Sequence, residues 1–179
     1  NINNKHMSIL RFTPQDHKYT SIDVKDTTDW LSVTSFISNF KQPFDADRIA
    51  EKSSKSKKSK WYGIDPKTIV QIWDNEANRA TTLGTFYHNQ READLCSLAS
   101  IERDGVTVPI FKPYEQPNGL KIAPVQKLEP GVYPEHMVYL KSAGLCGQSD
   151  LVEVVNGRVN IIDYKTNKEI KTESFKNET

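Results

Sequence analysis

The sequence predicts a mixed α/β domain, and three observations carry that reading. A β-hairpin signal stands at Asn156-Gly157. Helical periodicity runs through residues 66–100. Between them, residues 103–134 break into short strand-like runs separated by prolines and glycines. With 179 residues, 36% of them apolar, the chain is long enough to bury the core of one domain. The formal net charge is +1, so any nucleic-acid footprint has to be a local patch. Cys96 and Cys146 lie far apart and in no Cys-x-x-Cys pattern. That argues against a zinc or iron–sulfur site built from cysteines and for a reduced, cytoplasmic setting. No apolar run approaches a membrane span, and the first residues lack a signal-peptide layout.

Taken in order, residues 1–31 read as an irregular N-terminal segment with one strand-like patch at Ser8–Phe12. Ser32 or Thr34 can cap a short helix through Phe40, which Pro43 ends. Asp45–Glu51 reads as a further helical turn or two. Residues 51–60, EKSSKSKKSK, form a basic, low-complexity stretch expected to be a solvated loop. Its functional reading is a DNA-contacting loop using Lys55, Lys57, Lys58 and Lys60, with Trp61 behind them as a stacking group. Trp61 serves equally well as the anchor where the chain re-enters the core. Asp65-Pro66 is a helix start, and Ile69, Ile72, Trp73 and Ala77 recur at helical spacing through Arg79. A second helix is expected from about Leu83 to Ser100. Gly84 costs about 1 kcal/mol within it unless a close approach requires a glycine. His88 and Glu92 are neighbours on one helix face, ordinarily a packing pair. Glu135–Lys141 reads as a strand, and Glu135 as a further metal ligand or a plain surface acid.

The hairpin is the most informative stretch. Asn-Gly between β-branched runs favours a type I′ turn, which needs positive φ at both central residues. The strands are then Leu151–Val155 and Arg158–Thr166, with Val155 opposite Arg158, Val154 opposite Val159 and Val152 opposite Ile161. Extended further, Asp150 falls opposite Asp163. Period-two alternation puts Val152, Val154, Val159, Ile161, Asp150, Asp163 and Lys165 on one face. Like charges directly opposite repel, and a hard divalent cation with oxygen ligands relieves the conflict. Lys165 on the same face suits a site that handles phosphate. Asp-x-Lys alone is more often a surface ion pair; the pairing of the two aspartates is what raises the metal reading.

These residues resemble the PD-(D/E)XK nuclease superfamily, and within it the RecB-like exonuclease branch. Gly84-Thr85-Phe86-Tyr87-His88-Asn89-Gln90-Arg91-Glu92 matches a G-T-x-x-H-x-x-x-E helix motif. Gly147-Gln148-Ser149-Asp150-Leu151 and Asp163-Tyr164-Lys165-Thr166 match its G-x-x-D hairpin and (D/E)-x-K closure. Ser32-Val33-Thr34 looks like the start of such exonucleases, so the likeness spans roughly Ser32 to Lys168.

The resemblance implies a restriction-endonuclease-like core, a central mixed β-sheet flanked by helices, filling residues 32–179. It implies a metal-dependent deoxyribonuclease of phage or bacterial type, an exonuclease acting in recombination, repair or replication. The alternatives are an endonuclease of the same superfamily and a non-catalytic DNA-binding or assembly protein that keeps the fold. Asp150, Asp163, Lys165 and His88 would be catalytic. Asp150, Asp163, His88 and the Tyr164 backbone carbonyl would hold Mg2+ or Mn2+, and imidazole would shift preference toward Mn2+. Thr166 would join the DNA contacts. The expected partners are DNA, ends included, and a recombination or replication protein. The branch continues into a helix with a Q-x-x-x-Y motif that does not follow here, so the domain is expected to be incomplete at the C-terminus. Two cysteines cannot build the four-cysteine cluster of the CRISPR-associated members.

Overall fold

The computed structural model describes residues 9–115, 119–122 and 127–166, with the backbone alone at 114 and 115. In chain order the elements are β1 (Leu10–Thr13), β2 (Lys18–Ser21), β3 (Leu31–Ser32), α1 (Val33–Ser38), α2 (Ala46–Lys55) and α3 (Pro66–Cys96). The strands β4 (Ser100–Arg103), β5 (Val106–Pro109), β6 (Tyr114–Glu115), β7 (Lys121–Ile122), β8 (Gly131–Leu140), β9 (Leu145–Val155) and β10 (Arg158–Ile162) follow. The protein is thus mixed α/β, with several sheets and few helices. It divides into two compact units, one of Asn1–Asp45 with Asn89–Asp163, the other of Ala46–His88 with Tyr164–Thr179.

The first unit is organised on β9. Its eleven residues pair antiparallel with β8 along one edge, from Gly131↔Val154 to Leu140↔Leu145. On the other edge β3 pairs in parallel at the start, Leu31↔Leu145 and Ser32↔Cys146. At the far end β10 pairs antiparallel. One parallel and two antiparallel partners make this a mixed sheet. The turn does what Asn-Gly requires, with φ of 50° at Asn156 and 73° at Gly157. The predicted register also holds: Val155↔Arg158, Val154↔Val159 and Val152↔Ile161.

One expectation about this hairpin needs correction. The second strand ends at Ile162 rather than running to Thr166. The residues of the shared face differ in burial. Val152 and Val154 are 4% and 8% exposed, but Val159 and Ile161 are 63% and 75% exposed. β9 lies between neighbouring strands, whereas β10 is an edge with nothing described packing over its side chains.

The segment expected to be irregular supplies a hairpin instead. β1 and β2 pair from Leu10↔Ser21 to Thr13↔Lys18. Leu10 and Phe12 are buried in one core cluster with Met137 of β8 and Cys146 of β9, and Trp30 and Tyr139 pack against it. The strand was visible as Ser8–Phe12, but its partner Lys18–Ser21 is too polar to announce itself. Burial drives the Tyr19 phenol up to about 12 and the Cys146 thiol up to about 11, so both are neutral at ordinary pH. A second cluster gathers Tyr133, Val152 and Val154 with Leu128. The loops of residues 103–134 form the expected hairpins, β4–β5 and β6–β7. Ser32 caps α1, its hydroxyl accepting from the Ser35 N–H at 3.1 Å.

The second unit holds α2 and the first part of α3. Asp65 caps α3 as predicted, its carboxylate accepting from the Thr68 N–H at 3.1 Å. Residues 66–96 form one unbroken helix of 31 residues rather than two. Threonine and glycine at 81–84 weaken helix propensity by a few tenths to about 1 kcal/mol each, which is too little to break a helix with good flanks. Residues 51–55 are likewise helical rather than loop, since α2 runs through Lys55. The expected incompleteness after Lys168 falls outside the described residues. Among the described residues, no helix is long and apolar enough to cross a membrane.

Candidate active site

The β8–β9 ladder has one open rung. Pro134↔Leu151 and His136↔Ser149 pair on either side of it, but Glu135 and Asp150, which the same register sets opposite each other, do not. The cause is local. Glu135 has φ of 48°, a left-handed conformation that a non-glycine residue adopts at a cost of about 1–3 kcal/mol. Register is the same before and after, so this is a kink without an inserted residue.

Two acids meet at this rung. A carboxylate oxygen of Glu135 lies within 4.8 Å of one of Asp150. Gln148 holds the arrangement: its amide nitrogen donates to the Glu135 carboxylate at 2.6 Å and to the Glu135 backbone carbonyl at 3.1 Å. Like charges so close repel unless a cation lies between them. Hard oxygen donors at this spacing fit a divalent cation with ligand distances of about 2.0–2.6 Å.

Asp163 stands at the other edge of Asp150. The last rung is Leu151↔Ile162, and one more step in that register would set Asp163 opposite Asp150. The ladder stops first, so Asp163 is exposed and lies just outside β10. Among the described residues, its carboxylate does not form a close group of three with those of Glu135 and Asp150. The direct Asp150–Asp163 pair expected from turn arithmetic is therefore one step beyond the observed pairing. Glu135, which the sequence offered only as a secondary ligand, does stand close to Asp150.

His88, Tyr164, Lys165 and Thr166 belong to the second unit. His88 Nε2 is 3.0 Å from the Tyr164 carbonyl oxygen. With a proton on Nε2 this is a hydrogen bond. About 3 Å is also the spacing of two adjacent ligands on an octahedral cation with bonds near 2.1 Å. Both groups were expected as metal ligands, and they are neighbours. The Tyr164 ring meets Tyr87 and His88 edge-on, at 6.0 and 5.9 Å between centroids. Lys165 is exposed. A Cβ at Gly84 would stand 3.6 Å from the Thr166 hydroxyl oxygen, an ordinary van der Waals contact, so packing does not demand a glycine there.

The basic stretch divides into two kinds of residue. Lys55 sits in the last turn of α2, paired with Glu51 one turn back. Lys57, Lys58 and Lys60 are exposed beyond it. Trp61 packs edge-on against Trp73 at 6.1 Å, and the Lys60 ammonium stands 4.6 Å from the Trp61 ring centroid. This favours Trp61 as an anchor over a free stacking platform. In the first unit Glu92 faces Lys121 at 3.8 Å.

Sequence reasoning missed Gln148. The signal was present: Gln148 lies two residues before Asp150 and so on its face of the strand. What could not be read was the left-handed turn of Glu135, because no residue pattern announces a non-glycine residue with positive φ. Comparison of the chain with protein-family models, with curated proteins and with solved structures finds no match in any of the three.

Proposed function

We propose that this chain is a metal-dependent DNA exonuclease with a restriction-endonuclease-like core, related to the RecB-like branch of the PD-(D/E)XK nucleases. One observation carries the reading: the open rung of the β8–β9 ladder, where a strained Glu135 and Asp150 turn two carboxylates toward each other. A fold that needed only stability would pair this rung or fill it with apolar side chains. Strain held at one rung between paired neighbours marks a functional constraint.

The donor set fits Mg2+ or Mn2+. Within the first unit, Asp150 and Glu135 would hold the ion with hard oxygens and Asp163 would add a third; within the second, His88 and the Tyr164 carbonyl are the further ligands that the sequence motif offers. When bound, such an ion lowers the pKa of a water and polarises the phosphoryl oxygen. The chain's own groups do the rest. Gln148 fixes the Glu135 carboxylate by its two hydrogen bonds. The Lys165 ammonium offsets negative charge developing on the phosphate. Lys57, Lys58 and Lys60 add sequence-independent contacts to the DNA backbone.

The test is digestion of end-labelled linear and of circular DNA, single- and double-stranded, with Mg2+, Mn2+ or EDTA. Metal-dependent loss of linear DNA alone is expected. Cleavage of circles would make the chain an endonuclease of the same superfamily. Absence of cleavage with every metal, or full activity in Lys165→Ala, would overturn the proposed site.

A further inference from the structure

A cavity of about 360 Å³ opens in the first unit against the start of β8. Its size lies near the lower end of pockets that hold small molecules, about 300–1,000 Å³. One wall is aromatic. The rings of Phe111 and Tyr133 stack with centroids 4.7 Å apart and planes 12° from parallel. The stack depends on Gly131, because a Cβ there would stand 2.4 Å from a Phe111 ring carbon. Leu128 and Ile122 extend the apolar lining.

The rest of the lining adds Pro113, Pro134 and Met137 and charges of both signs. Lys112, Lys121 and Lys127 face two carboxylates, Glu129 and Glu135. Lys112 and Lys127 are exposed, and Lys121 is the partner of Glu92. His136 also lines the cavity and is 4% exposed. Burial holds its imidazole below the usual histidine range, which leaves it a neutral hydrogen-bonding wall. A flat aromatic wall with ammonium groups at the rim suits a ligand with a planar ring system at one end and an anion at the other. Lysine contacts phosphate as a point charge, and bases stack on aromatic rings irrespective of sequence.

We propose that this cavity is a nucleotide subsite, taking one base against the Phe111–Tyr133 stack with its phosphate on Lys112 and Lys127. Glu135 belongs both to this lining and to the open rung. In this respect the inference rests on the proposed function: a nucleotide held here lies beside the cleavage centre. Either a free mononucleotide or the end residue of a strand presents the required chemistry.

The experiment is calorimetric titration of the full chain, in EDTA, with dAMP and dTMP and with inorganic phosphate as control. Both nucleotides should bind at millimolar concentration or tighter, and phosphate more weakly. Reversing both charges, Lys112→Glu with Lys127→Glu, should weaken nucleotide binding by at least ~10-fold with an unchanged melting profile. Absence of nucleotide binding, phosphate binding as tight as nucleotide binding, or unchanged affinity in the double variant would overturn the proposal. Oligonucleotides carrying 2-aminopurine at the end or in the middle separate the two sources. Selective quenching of the terminal probe identifies a strand end, and binding of free nucleotide without it identifies a mononucleotide. EDTA keeps cleavage out of the measurement. A chain that cleaves DNA but binds no nucleotide sinks the subsite alone, and one that binds nucleotide but never cleaves sinks the nuclease reading alone.

Discussion

The two halves of β9 face opposite demands. From Leu151 to Val155 the strand is buried, paired on both edges as far as Val154, and lined by Val152 and Val154 in a core cluster with Tyr133. Even the one charge there is neutralised: Glu153 accepts from Arg103 Nε at 2.6 Å. From Gly147 to Asp150 no described strand pairs the edge between β3 and β10, and the rung toward β8 is open at Asp150. The residues there are only half-buried. A single strand thus holds a packed half that fixes register and an open half that leaves space, carboxylates and Gln148. The candidate site lies where pairing stops on both edges at one residue.

Five variants probe that contrast and its surroundings. The largest effect belongs to Asp150→Asn, predicted to lower metal-dependent cleavage by about 10²–10³-fold or more, the scale of losing one preorganised electrostatic group. Its melting temperature should change little, because the substitution keeps the shape of a side chain that is only half-buried. In the packed half, Arg103→Ala should do the reverse. It leaves the Glu153 carboxylate buried without its partner and should cost about 3 kcal/mol in urea unfolding. Cleavage per folded molecule should stay unchanged. An Arg103→Ala variant that is stable but inactive would erase the division between the halves. Next is Gln148→Ala, which frees the Glu135 carboxylate from its donor and should reduce metal affinity about 10–100-fold, as loss of a ligand-orienting group does. The smallest effect lies outside β9. Replacing Lys57, Lys58 and Lys60 by Gln should reduce the salt slope of DNA binding by up to about 0.9 for each phosphate no longer neutralised. Lys55→Gln should leave that slope alone, because Lys55 already pairs with Glu51.

The packed half was legible in the sequence. Asn156-Gly157 set the turn, the turn set the register, and β-branched residues marked both strands. The open half was legible in its residue types but not in its geometry. Asp150 was identified, yet its closeness to Glu135 was not, and the ladder pairing with Asp163 was carried one step too far. Register counting assumes that a ladder continues, and this one ends at Leu151↔Ile162. The long helix and the β1–β2 hairpin were misread for a shared reason. Weak local preference at 81–84, and weak apolar pattern at 18–21, were overridden by cooperativity of the helix and by burial of Leu10 and Phe12 against β8 and β9.

Everything proposed for the open rung requires Asp150 and Glu135 to be ligands of one divalent cation. Mn2+ binding read by electron paramagnetic resonance asks this of the protein without the intervention of DNA, since free Mn2+ gives a sharp six-line signal and bound Mn2+ does not. The wild-type chain should quench that signal saturably, Asp150→Asn should lose most of the quenching, and Arg103→Ala should retain it. Quenching of equal strength in wild type and Asp150→Asn, or none in wild type, would contradict a metal site at this rung.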